Sequence, residues 1–212
     1  MIRFPSIIRQ SARRVAQAAD ETVETLRDRR IEQEPDYTSQ IIGRIAHAMD
    51  EYEVKGVRWR AKVLTDRGPN AQEKQYGADF VGVLDISLPG YTVKKGFLAQ
   101  AKMIEPGEPL RGQDWERMRM QCDSMLRLAP AASYLFVYSL AGTTVVPAAA
   151  IVASSEPVNP HEFYSRSLSR FFEEHFECFI GDLRIHAASI ETLEALREQW
   201  FAQRLLYLAA TS

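Results

Sequence analysis

The sequence feature that most constrains the fold is a hairpin pattern centred on Pro89 and Gly90. Two runs rich in β-branched and aromatic residues flank this dipeptide, a combination typical of two strands joined by a turn. Counting outward from the turn by equal steps places Asp79 opposite Gln100. Lys102 follows two residues later and therefore lies on the same face as Gln100. The pattern predicts an acid, an amide and a lysine close together at one end of a sheet.

Two interpretations of this grouping stay open. An acid and a lysine that face each other on a hairpin are often an ordinary cross-strand ion pair. Two features favour a chemical role instead. Asp79 follows Gly77 and Ala78, small residues that allow a ligand or backbone to approach closely. Lys102 ends a run too apolar for a solvated strand, so we expect it to be partly buried and to need a charged partner.

The order of the predicted elements is the second constraint. Hydrophobic periodicity and turn signals predict helices over 6–32, 37–52, 114–128, near 160–177 and 189–208, and strands over 57–65, 78–88, 92–103, 133–138 and 143–146. The middle of the chain therefore has the order αβββαβ, in an α/β protein whose mixed central sheet is flanked by helices. We expect residues 1–35 to be an N-terminal helical extension, 36–140 the core, and 141–212 a C-terminal strand and helices packed on that core.

This order, together with Asp79 and the Gln100-Ala101-Lys102 triplet, resembles the PD-(D/E)XK nuclease superfamily. The resemblance covers residues 34–140, with Asp79 at the start of the second core strand and the triplet at the end of the third. It implies a restriction-endonuclease-like core with helical additions at both ends. The first position of the triplet is usually Asp or Glu in the family and is Gln100 here, a Gln-x-Lys variant that some branches share.

The resemblance implies hydrolysis of phosphodiester bonds with Mg²⁺ or Mn²⁺ as cofactor. Asp79, the side-chain carbonyl of Gln100 and the backbone carbonyl of Ala101 would hold the ion, since hard oxygen ligands suit these metals better than zinc. Lys102 would position the attacking water and stabilise the developing anion. The catalytic residues are thus predicted to be Asp79, Gln100 and Lys102.

A glutamine in place of a carboxylate leaves this site one negative charge short, so a second acid is expected nearby. Glu73, six residues before Asp79, and Glu34, just ahead of the first core helix, are the candidate metal ligands. A solvated loop carboxylate is the alternative for each. On the helix that follows the lysine strand, Gln121 is a further candidate for contact with the substrate.

The charge balance bears on the partners. A net charge of −2 and a pI near 6.1 argue against a protein coated in positive charge for nonspecific nucleic-acid binding. A local basic surface is still compatible, and Arg58, Arg60 and Lys62 alternate along the strand expected beside the hairpin. They are the predicted substrate-binding row, with a solvated strand face as the alternative. The mild acidity indicates that substrate binding depends on a homodimer or a partner protein.

We therefore expect a Mg²⁺-dependent nuclease acting on DNA rather than RNA, in a prokaryotic defence or restriction setting by family analogy. The alternative is a catalytically inactive nucleic-acid-binding or assembly module with the same fold. Gln100 favours that alternative, whereas the intact pair of Asp79 and Lys102 opposes it. No apolar run approaches the roughly 20 residues that span a bilayer. Two cysteines without a Cys-x-x-Cys pair favour a reducing compartment, so the expected location is the cytoplasm without membrane attachment.

Overall fold

The computed structural model describes residues 4–28, 33–65, 78–110 and 112–212. The α-helices of these ranges are α1 (Phe4–Arg27), α2 (Glu34–Met49), α3 (Gly112–Leu128), α4 (Ala148–Ala153), α5 (Leu168–Phe176) and α6 (Leu193–Gln199). The strands are β1 (Glu53–Val54), β2 (Val57–Thr65), β3 (Phe80–Leu88), β4 (Tyr91–Met103), β5 (Ser133–Ser139), β6 (Gly142–Pro147), β7 (Arg166–Ser167) and β8 (Arg204–Thr211). None of the helices within these ranges is both long and apolar enough to cross a lipid bilayer.

The described strands form one eight-stranded sheet in the order β1-β2-β8-β3-β4-β5-β6-β7. β3 runs parallel to β8 and β4 runs parallel to β5, whereas the other neighbouring strands are antiparallel. The sheet is therefore mixed, and helices flank it. The predicted α/β class and mixed central sheet are confirmed.

The hairpin has the predicted register. β3 and β4 pair from the turn up to Phe80, which lies opposite Ala99. Gly90 in the turn has a φ of 78°, a left-handed conformation that glycine adopts without a steric penalty. Asp79 precedes the first paired residue and lies beside Gln100, as the counting from the turn predicts.

Helices pack on both faces of the sheet, and aromatic contacts fix the positions of two of them. Tyr37 of α2 packs edge-on against Tyr138 with ring centroids 4.8 Å apart, and Phe171 of α5 packs against Phe97 at 4.9 Å. α3 packs against β4 and β5 on the opposite face, to which Lys102 points. The end of the sheet that carries the predicted site therefore lies between α2 and α3.

The last strand corrects a sequence prediction. The helix expected over 189–208 is present only as α6, which ends at Gln199; the rest of the prediction is wrong, because β8 follows and lies between β2 and β3. The leucines and alanines of β8 have high helix propensity, but this preference is worth only tenths of a kcal/mol per residue. A central strand gains ladder hydrogen bonds on both edges and burial on both faces, and these contacts outweigh the local preference. The C-terminal segment, expected to pack on the core, thus supplies a central strand of the same sheet.

Candidate active site

Asp79 lies where β3 and β4 separate. Past the last ladder pair, the Ala101 backbone N–H donates a 2.7 Å hydrogen bond to Asp79 Oδ2, and Gln100 Nε2 donates to the same oxygen. The N–H and C=O of one residue in an extended strand point to the same side. The Ala101 carbonyl therefore points toward the Asp79 side as well. The structure thus brings Asp79, Gln100 and Ala101 together at one end of the hairpin.

Burial controls the protonation of Asp79. Its pKa is raised from 3.8 to about 6, mainly because burial penalises the charged form, and the negative charge of Glu34 adds to this rise. The hydrogen bond from Ala101 and the positive charges of Lys102 and Arg204 act in the opposite direction. A carboxylate in this position is destabilised unless additional positive charge is supplied.

Gln100 provides a second acceptor at the same place. The residue is 1% exposed, and within the described ranges its Oε1 has no hydrogen-bond partner. A buried acceptor without a partner is rare in folded proteins, so this oxygen is free to accept a bond from a bound ion or water. Among the described residues, no group of three or more His, Cys, Asp or Glu side chains is placed to hold a metal ion. An ion here would therefore need the oxygens of Gln100 and Ala101 in addition to a carboxylate.

Glu34, the first residue of α2, holds Lys102. Lys102 Nζ donates to Glu34 Oε1 at 3.1 Å, and Glu34 Oε2 accepts a 3.1 Å hydrogen bond from the Met103 backbone N–H. The side chains of Lys102 and Glu34 are 22% and 27% exposed, so the pair is largely buried. The charged partner expected for Lys102 is therefore Glu34. No ion pair joins Lys102 to Asp79 in the described ranges, which contradicts the simple cross-strand ion pair.

Arg204, the first residue of β8, supports the site although nothing in the sequence marks it. Its backbone N–H donates to the Asp79 carbonyl at 3.1 Å. Its guanidinium donates to Ser39 Oγ at 2.8 Å and to the Pro35 carbonyl at 3.0 Å. Arg204 thereby connects the first turn of α2, which carries Glu34, to the chain at Asp79. The sequence does not indicate this role, because it depends on the position of β8 in the sheet.

A cavity of about 450 Å³ opens beside Lys102 and Glu34. It extends away from the hairpin to the start of α3, where Asp114 and Arg117 line it. Of the predicted metal ligands, Glu34 lines the cavity, whereas Asp79, Gln100 and Ala101 do not.

Two other predicted residues are less closely tied to this grouping. Glu73 lies outside the described residues. Gln121 lies in α3, and its Oε1 is buried without a hydrogen-bond partner in the described part of the chain. It does not line the cavity beside Lys102. Its proposed contact with the substrate stays a prediction.

The predicted basic row lies farther from the site than expected. Arg58, Arg60 and Lys62 lie on β2. Because β8 and β3 lie between β2 and β4, the row is about 14 Å across the sheet from β4, the strand that carries Lys102. Arg58 lies 3.9 Å from Glu51 and 3.7 Å from Glu53, and Arg60 also forms an ion pair with Glu51. The prediction that β2 lies beside the hairpin is wrong. The acids next to the row also reduce its positive charge.

No protein-family model, curated protein or solved structure matches this chain. The geometry of the site and the resemblance of its motif are therefore the observations that bear on function.

Proposed function

We propose that this protein is a metal-dependent nuclease of the PD-(D/E)XK type that hydrolyses phosphodiester bonds in DNA. The observation that carries the proposal is the convergence of Asp79, Gln100 and Lys102 at one end of β3 and β4, with Glu34 beside them. The order α2, β2, β3, β4, α3, β5 also follows the αβββαβ order of the resemblance, with β8 inserted between its first two strands.

The donor set fits Mg²⁺ or Mn²⁺. The Asp79 carboxylate, Gln100 Oε1 and the Ala101 carbonyl are oxygen donors of the kind these ions prefer, and the Gln100 oxygen is a buried acceptor without a partner in the described ranges. When bound, the ion would lower the pKa of a water molecule and stabilise charge on the phosphoryl oxygens. Glu34 supplies the negative charge that Gln100 lacks.

The protein's own groups have distinct tasks. The Lys102 ammonium, partly exposed beside the cavity, donates hydrogen bonds to a water or a phosphoryl oxygen and stabilises the developing anion. Glu34 fixes the direction of that ammonium, because its own carboxylate is held by the Met103 N–H. Asp79 is positioned by Ala101 and is ionised above a pH of about 6. A site held in this way needs little rearrangement before reaction.

A catalytically inactive nucleic-acid-binding or assembly module is the second candidate, and one observation favours it. Gln100 donates to Asp79 while Lys102 pairs with Glu34, so each charged group already has a partner within the protein. Such a network would stabilise this end of the sheet without a metal. In that case the protein binds nucleic acid but neither binds Mn²⁺ at this site nor cleaves.

Cleavage of DNA with Mg²⁺ or Mn²⁺ tests the proposal. Asp79→Asn and Lys102→Met are each expected to reduce cleavage by at least about 100-fold, the usual loss when a group acting in the chemical step is removed. The matched controls are Asp85→Asn and Lys94→Met. This second acid–lysine pair spans the same two strands with a 2.9 Å ion pair and lies away from the site. The controls are expected to retain parental activity.

Metal affinity measured by calorimetry separates the two candidates. Gln100→Glu should bind Mn²⁺ more tightly than the parent, because it adds a negative charge to the donor set. Undiminished cleavage in either Asp79→Asn or Lys102→Met contradicts the assignment of those residues. The inactive module would be favoured if the protein binds DNA but does not cleave it, and if its binding of Mn²⁺ does not depend on Asp79.

A further inference from the structure

The cavity beside Lys102 combines apolar walls with a charged rim. Ile104 and Met118, which are 6% and 1% exposed, form part of its walls together with the half-buried Leu110. Its volume of about 450 Å³ lies within the range of about 300–1,000 Å³ common for small-molecule sites. A cavity of this volume matches a single small ligand of the size of one nucleotide.

Arg117 at the rim retains its hydrogen-bond donors for a ligand. The residue is exposed, and within the described ranges it has no hydrogen-bond or ion-pair partner, although Asp114 precedes it by one helical turn. The other arginines of these ranges, except Arg13 on α1, are bound to a protein acceptor. A guanidinium is the group best suited to bind a phosphate with two hydrogen bonds.

The acids at the rim limit how a nucleic acid enters. Glu108 and Asp114 line the same cavity, and Glu108 Oε2 is held by a 3.1 Å hydrogen bond from the Glu105 backbone N–H. Two carboxylates repel a continuous row of phosphates. They can instead accept hydrogen bonds from the amino groups of a base, as Asp and Glu do with cytosine. Of the two cations among the described residues that line the cavity, Lys102 is paired with Glu34, and Arg117 is left for a phosphate. The cavity thus offers a guanidinium for a phosphate, acceptors for a base edge and apolar walls for a base plane.

We infer that this cavity binds one unpaired nucleotide next to the scissile phosphate, with Arg117 on the phosphate of that nucleotide. The inference rests on the proposed function and narrows its substrate to single-stranded DNA or the unpaired end of a duplex. Arg117 is then a residue that positions the substrate, and the chemistry stays with Lys102 and its neighbours.

Fluorescence anisotropy in EDTA, where metal-dependent cleavage does not occur, provides the test. The probes are a labelled eight-nucleotide single strand and a blunt-ended hairpin duplex that contains the same sequence. Arg117→Gln should weaken binding of the single strand by about 10-fold. It should also reduce the slope of log K against log salt by about 0.7, the value for one phosphate contact on a single strand. The matched control is Arg13→Gln, which removes the same charge from an exposed arginine on α1 and should change neither value.

The outcomes distinguish this inference from the proposed function. The inferred nucleotide site is overturned if the parent binds the blunt duplex more tightly than the single strand. It is also overturned if Arg13→Gln and Arg117→Gln lose equal affinity for the single strand. If binding of the single strand depends on Arg117 but no cleavage occurs in Mg²⁺ or Mn²⁺, the nucleotide site is supported and the proposed nuclease activity is contradicted. If the parent and Arg117→Gln cleave the single strand and the duplex at the same rates, the nuclease activity is supported and the nucleotide site in the cavity is contradicted.

Discussion

Replacing Asp79 by asparagine removes a buried negative charge but keeps an oxygen that can accept hydrogen bonds from Ala101 and Gln100. In the wild type both donors bind the same oxygen, Oδ2, so one amide oxygen can take its place. The substitution also preserves the shape of the side chain. Its effect on the free energy of unfolding therefore measures the cost of the charge more than the loss of contacts.

The raised pKa sets the size of that effect. Because burial raises the pKa of Asp79 from 3.8 to about 6, the folded state binds this proton more tightly than the unfolded chain does. The folded state therefore loses stability as the pH rises from about 4 to about 6. At about 1.4 kcal/mol per pKa unit, the ionised carboxylate costs the wild type about 3 kcal/mol above pH 6. Asp79→Asn should be more stable than the wild type by up to this amount at pH 8, and the difference should vanish near pH 4.

Urea unfolding followed by circular dichroism at several pH values, in EDTA, measures the difference. Asp85→Asn on the same strand gives the background effect of removing a carboxylate. Its change in stability should be small, because Lys94, its partner at 2.9 Å, is 39% exposed and water screens the pair. Added Mn²⁺ at about 100 times its Kd should stabilise the wild type by about 2.7 kcal/mol and Asp79→Asn much less. A difference between wild type and Asp79→Asn that stays constant with pH would refute the burial argument.

Two further substitutions test charge and packing elsewhere in the sheet. Lys95 is 2% exposed, and burial lowers its pKa to about 8. The pKa shift corresponds to about 3.5 kcal/mol, but Lys95→Met also removes the 2.7 Å hydrogen bond from Lys95 Nζ to the Ile180 carbonyl, so it should stabilise the fold by about 1–3 kcal/mol near pH 7 in urea unfolding. The unfolded chain holds this proton up to about pH 10.5, whereas the folded protein loses it near pH 8. The stability difference between Lys95→Met and the wild type should therefore shrink as the pH rises from about 8 to 10.5. A difference that does not change with pH would contradict the lowered pKa of Lys95. A Cβ at Gly96 would lie 2.5 Å from the Gly82 carbonyl oxygen and 2.5 Å from Ile185 Cγ2. Because both contacts are too short, Gly96→Ala should lower the free energy of unfolding by at least about 2 kcal/mol and the Tm by several degrees. Gly43→Ala on α2, where a Cβ meets nothing within 4 Å, is the control and should keep or raise the Tm.

The hairpin shows what local sequence can determine. A Pro-Gly turn and the two-residue repeat of strand side chains set its register, because a slip by one residue would move every side chain to the other face. For the same reason Asp79, Gln100 and the direction of Lys102 could be placed from the sequence alone. The helical stripes of α1 to α3 and the paired strands β5 and β6 were equally local, since each repeats its pattern within one segment.

The partners of these residues depend on contacts between distant parts of the chain. Glu34 and Lys102 are 68 residues apart, and Arg204 meets Pro35 across 169 residues, so no local pattern connects them. Local preference also misassigns β8, because its leucines and alanines suit a helix as well as a buried strand, and only the neighbours β2 and β3 decide between the two. The sequence by itself therefore determined which residues carry the candidate chemistry and which face they share. The tertiary structure alone decided which acid holds the lysine, how far the basic row lies from it, and where a cavity opens, since these depend on the order in which distant strands pair.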